Sequence, residues 1–143
     1  MVSCLKTVLS CVILLFSTFI QSQNLTRYFD LMEEGKLSEV RSDINLLLEQ
    51  FPNHSGVMFL AAQSQERAED AVMAYKKLIQ NHPNSKYADD AMIKVGEYLY
   101  ARGLYTQASA QLAKIPKAYP KSDHVQRAID LQINSLLAIG EKD

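Results

Sequence analysis

Three prolines set the phase of this chain. Pro52, Pro83 and Pro120 close the similar phrases LLLEQFPN, KLIQNHPN and PKAYPKS, 31 and 37 residues apart. Those separations bracket a repeat of about 34 residues. Counting back from each proline, Leu47, Leu78 and Ile115 stand five residues before it. Ile44, Tyr75 and Leu112 stand eight before it, and Val40, Ala71 and Ala108 twelve before it. Steps of three and four trace one face of a helix. A helix therefore leads into each proline, which lacks the N–H needed to continue it.

Each phrase contains a second amphipathic stretch further back. Leu25, Tyr28, Leu31 and Met32 form it in the first repeat, and Val57, Met58, Ala61 and Ala62 in the second. Ala88, Ala91, Met92, Val95, Leu99 and Arg102 form it in the third. Gly35 and Gly103 both stand 17 residues before their proline. Glycine there suits a helix end with positive φ, turning one helix into the next. The second repeat carries Glu66 at that place, so its turn needs another geometry. Ser85 and Ser122 follow their prolines as N-cap candidates, with Asp123 and Gln126 as a capping-box option. These signals predict helices over about 24–34, 37–51, 55–65, 68–81, 85–102, 105–118 and 123–139. The last has Val125, Ile129, Ile133, Leu136 and Leu137 on one side and no second helix of its own.

The N-terminus reads differently. Lys6 precedes a 13-residue run from Val8 to Ile20, broken only by Ser10, Cys11, Ser17 and Thr18, and Gln21 to Asn24 are polar. This charged, apolar, polar order is that of a secretory signal, with Ser22 before the cut. An uncleaved anchor and lipidation at Cys11, in Val8-Leu9-Ser10-Cys11, are the two other readings, and they are the only routes to a membrane that we expect. The expected division is a signal peptide over 1–22 and a helical repeat domain over 23–143.

Composition narrows the function. Of 15 Lys and Arg, only Lys6 lies in the first 22 residues, leaving 14 against 16 acids, a net −2. That balance argues against a nucleic-acid partner. Cys4 and Cys11 both lie in the signal, so no disulfide framework is expected beyond it. His54, His82 and His124 fall near the proline turns with no metal-ligand spacing around them, and no metal or cofactor is expected. Asp89 and Asp90 suit the positive end of a helix dipole without any catalytic role. No nucleophile stands near a base, so no enzyme is expected.

The pattern resembles the tetratricopeptide repeat. The family places small residues at close helix crossings, a bulky residue in the second helix and a closing proline. Gly96, Ala108, Leu112 and Pro120 match it in the third repeat, with Gly103 at the turn. Ala71, Tyr75 and Pro83 match in the second, where Phe59 replaces the usual glycine. Ile44 and Pro52 match in the first. The resemblance implies an all-α, right-handed α-solenoid of about three helical hairpins plus a C-terminal capping helix. Pro83-Asn84-Ser85-Lys86-Tyr87-Ala88 and Gly103-Leu104-Tyr105-Thr106-Gln107-Ala108 narrow it further. They are similar to bacterial envelope repeats of the BamD type and of the Tol–Pal-associated coordinator of cell division (CpoB-like).

Those relatives imply an exported scaffold or adaptor in the periplasm or at the outer membrane, binding a protein or peptide. In the family, the first helices of successive repeats line a concave groove. Carried over by the proline register, Phe29, Leu60 and Glu97 form one row, Met32, Gln63 and Tyr100 the next, and Ile93 stands beside them. For Leu60 and Ile93, packing against neighbouring helices is the competing expectation. Two further roles fit the same residues: an assembly subunit that self-associates or docks through the solenoid ends, and a small regulator that caps a partner enzyme.

Overall fold

The structure is a computed structural model that describes residues 25–140. The signal expected over 1–22 lies outside those residues. The chain is all-α, of the stacked-hairpin kind expected, and no strand occurs among the described residues. Residues 25–33 form α1. There follow α2 (Leu37–Gln50), α3 (Ser55–Gln63), α4 (Ala68–Asn81), α5 (Ala88–Ala101), α6 (Tyr105–Leu112), α7 (Ile115–Ala118) and α8 (Val125–Gly140). Two compact units meet in sequence at Asp43 and Ile44.

In the first unit, α1 turns into α2 through Gly35 at φ +76°. The Lys36 amide donates to the Leu31 carbonyl (2.8 Å) and the Gly35 amide to Met32 (3.0 Å). These two bonds satisfy carbonyls that the helix end leaves open, and only glycine adopts that φ cheaply. Tyr28 donates from its hydroxyl to Asp43 (2.9 Å), tying α1 to α2. Leu25 and Val40 are buried.

In the second unit, α3 packs on α4, α4 on α5, and α5 on α6, while α8 lies against α6 and α5. The α5–α6 turn repeats the α1–α2 turn bond for bond. Gly103 has φ +71°. The Leu104 amide donates to Leu99 and the Gly103 amide to Tyr100, both at 2.9 Å. The turn after α3 has no glycine and works through side chains. Ser64 Oγ and Gln65 Nε2 both donate to the Ala61 carbonyl at 3.1 Å.

The core is the face counted back from the prolines. Ile44, Leu47, Tyr75, Leu78, Ala108, Leu112 and Ile115 are all buried. Gly96 is the tightest point. A Cβ built there would sit 2.4 Å from Leu112 Cδ2 and 2.9 Å from Cγ, so glycine lets α5 and α6 approach. Phe59, which stands where the pattern asks for glycine, is accommodated by aromatic packing. It stacks on Tyr87 (5.2 Å between centroids) and tilts against Tyr75 (5.7 Å). Ala71 departs from expectation and is half-exposed. The buried face of α4 is Val72, Tyr75 and Leu78, so Val72 is buried where Ala71 was expected to be.

Three boundaries also differ. The helix expected over 105–118 breaks into α6 and α7 around Ala113 and Lys114. Pro116 has no N–H for the Leu112 carbonyl, and its ring crowds that oxygen. The helices expected from 85 and 123 begin at Ala88 and Val125. Ser85 and Ser122 act one turn earlier, each accepting from the amide two residues on (3.4 and 3.1 Å). Gln126 makes no capping box, since its amide donates to Asp130 (2.9 Å).

Candidate protein-interaction face

Leu60 and Ile93 are fully buried. This corrects their place in the groove rows, because both serve the core and offer no surface to a partner. In α3, seven consecutive residues from Gly56 to Ala62 are buried, almost two full turns, so no side of the helix is open there and only Gln63 of the row is partly exposed. Phe29 and Met32 are half-buried on α1 and belong to the first unit. Gln63, Glu97 and Tyr100 keep partly exposed side chains in the second unit.

Glu97 is the electrostatic centre of this face. Lys94, one turn earlier on α5, lies 3.3 Å from one carboxylate oxygen. Arg127 of α8 donates to the other. Partial burial pushes the Glu97 carboxyl up, but the Arg127 hydrogen bond and the charges of Lys94 and Arg127 outweigh it, leaving the group below its usual value. Glu97 is thus a carboxylate already paired on both oxygens. It holds α8 to α5 and leaves the exposed halves of Lys94 and Arg127 at the surface. Tyr100 meets Tyr105 edge to face at 5.5 Å, which fixes its ring at the start of α6.

The residues missed from the sequence lie on α8. The 37-residue step from Pro83 to Pro120 carries Glu97 to Asn134 and Tyr100 to Leu137. Asn134 is exposed and Leu137 is 60% exposed. The same proline register, continued into the last helix, would have found them. Arg127 had no such signal, since its role depends on the tertiary contact with Glu97.

The three histidines hold turns together. His54 Nδ1 accepts from the Gly56 amide (3.2 Å) and caps α3. His82 Nε2 meets Asn53 Oδ1 (3.1 Å), joining two proline turns 29 residues apart. His124 Nε2 meets Asp90 Oδ1 (2.6 Å), a second tie between α8 and α5. Among the described residues no group of three His, Cys, Asp or Glu is placed to hold a metal ion. None of the described helices is long and apolar enough to cross a membrane.

Residues 57–85 and 90–122 each match the family model described as Tetratricopeptide repeat. The match supports a tetratricopeptide repeat protein. Its two segments cover the α3–α4 hairpin and the α5–α6–α7 segment, whose closing prolines are Pro83 and Pro120. Tetratricopeptide repeats generally mediate protein–protein interactions, and a protein partner is consistent with the face just described. A comparison with curated proteins gives no match.

Proposed function

We propose that this chain is a non-enzymatic, exported scaffold or adaptor of the bacterial cell envelope that binds a protein or peptide segment. The binding face is that of the first helices, with Gln63, Glu97 and Tyr100 joined by Asn134 and Leu137 of α8. The observation that carries the reading is Tyr100. It is a partly open aromatic held edge-on by Tyr105, beside a paired carboxylate whose two cations are half in solvent. A rigid aromatic ring with nearby neutralised charge suits an amphipathic helix or extended peptide.

Export rests on the order of Lys6, the apolar run to Ile20 and the polar Gln21 to Asn24. Cleavage after Ser22 would leave the repeat domain as 23–143. Kinship with the BamD-like and CpoB-like envelope repeats rests on the Pro-x-Ser and Gly-x-Tyr phrases. That resemblance supports a location in the periplasm or at the periplasmic face of the outer membrane.

A photo-crosslinking phenylalanine derivative at position 100, with a matched one at Met73, tests the face. Met73 is 69% exposed on α4, a second helix. Irradiation in the envelope fraction should give a discrete adduct from position 100 and none from 73. Equal labelling from both positions would reject the face. Mass spectrometry of the mature N-terminus tests export.

A further inference from the structure

The last helix presents an apolar stripe outward. Ile133 is 49% exposed, Leu136 52% and Leu137 60%. The helix packs on the rest of the unit through its opposite side, where Ala128 and Ser135 are buried. The internal repeat says what kind of surface this is. Stepping 37 residues carries Ala88, Met92, Gly96 and Leu99 of α5 to Val125, Ile129, Ile133 and Leu136 of α8. All four α5 residues are buried. Gly96 among them faces Leu112 of α6, the helix that returns over α5 through the Gly103 turn. Among the described residues no helix plays the part of α6 for α8.

We propose that a second copy of this chain plays it: two α8 helices pair antiparallel about a two-fold axis between Leu136 and Leu137. Each Ile133 then lies over the Gly140 of the other copy.

Four observations select that occupant. The missing neighbour must run antiparallel to α8, as a helix returning through a tight turn does, and a two-fold axis across α8 supplies that geometry. The stripe is self-complementary in shape. Ile133 and Gly140 are two helical turns apart on one face, and a Cβ at Gly140 would meet nothing within 4 Å. A bulky residue over a glycine is the contact that α5 and α6 already make, with the roles exchanged. The patch is also free of like-charge conflict. A two-fold contact brings the residues at its axis against their own copies, and residues 131–140 contain no charged side chain.

Area sets the strength. Three half-open aliphatic side chains fall well short of the ~800 Å² per partner of a stable interface. The pair is therefore transient and concentration-dependent. It deepens the end-docking role read from the sequence, and it shares Leu137 with the face proposed around Tyr100.

Sedimentation equilibrium of the full chain from about 10 µM to 1 mM tests this. The weight-average mass should rise with concentration and level at two copies. Ile133→Asp should abolish the rise by placing two carboxylates beside the axis. Gly140→Leu should weaken it at least tenfold by filling the hole. Met73→Ala, on α4 and outside the stripe, should leave it unchanged. Far-UV circular dichroism should match wild type in each variant. If Ile133→Asp loses helix, Gly140→Leu decides, because a Cβ at Gly140 has nothing within 4 Å among the described residues. A wild type that stays monomeric at 1 mM overturns the proposal and leaves the stripe to a foreign helix. So does a mass that grows past two copies, or association that both α8 variants leave intact.

Discussion

Gly96→Ala isolates the closest contact in the fold. Two opposing effects operate. Replacing a mid-helix glycine by alanine favours α5 by about 1 kcal/mol through backbone entropy. Against that, the new methyl would stand 2.4 Å from Leu112 Cδ2 and 2.9 Å from Cγ. Rotating the end of Leu112 relieves the first overlap but not the second, because Cγ moves only if the side chain or helix α6 shifts. Leu112 is fully buried, so a shift disturbs its neighbours. Overpacking of this kind costs about 1–3 kcal/mol. The net expectation is a destabilisation of up to about 2 kcal/mol, read from urea unfolding followed by circular dichroism.

The decisive comparison is a double-mutant cycle with Leu112→Ala. That change alone costs about 2–5 kcal/mol by opening a cavity. In its background the methyl at position 96 has room, so Gly96→Ala should become stabilising by about 1 kcal/mol. A reversal of sign between the two backgrounds is the signature of direct contact. The same change in both backgrounds would refute the close approach of α5 and α6, and with it the register of the third repeat.

Two further outcomes follow from particular groups. Burial, with negative potential from Asp90 and Glu97, pushes the Tyr75 phenol up to about 12. Its ordinary value is 10.0, so its contribution is complete below that pH and lost as pH rises through about 12. Urea midpoints should fall across that window, and Tyr75→Phe should flatten the fall to the part that Tyr28, Tyr119 and Lys36, also raised, contribute. Pro116→Ala should fuse α6 and α7, because the new amide can donate to the Leu112 carbonyl. Hydrogen exchange should show that amide protected, and a freely exchanging amide would mean that packing rather than proline imposes the break.

Local chemistry explains why so much of the fold was legible. Gly35 and Gly103 marked their turns because positive φ is a property of one residue type. Ile44, Tyr75 and Leu112 marked the core because the proline phase and the helical period together select a face. Signals carried by one residue or one period survive in a linear string. Pro116 is a local signal of the same kind, and its missing N–H breaks a helix that the proline-to-proline period alone carries through to 118.

The candidate face was less legible. Leu60, Ile93 and Tyr100 have the same standing in the repeat register, and nothing local separates a groove residue from a core residue. Burial separated them, since exposure is a property of neighbours that lie far away in sequence. The pairing of Glu97 with Arg127 and of Asp90 with His124 belongs to the same class. Each spans about one repeat and exists only because α8 docks on α5.

The sequence by itself determined an all-α chain, its repeat length and most of its buried face, because those follow from helical period and residue-specific backbone preference. Only the tertiary structure decided which side of α8 packs. Its apolar side looked like the packing side, but Ala128 and Ser135 lie inward and Ile133, Leu136 and Leu137 outward. The reason is steric: small residues let the last helix approach α5 and α6 closely, so the bulky ones are left for whatever comes next.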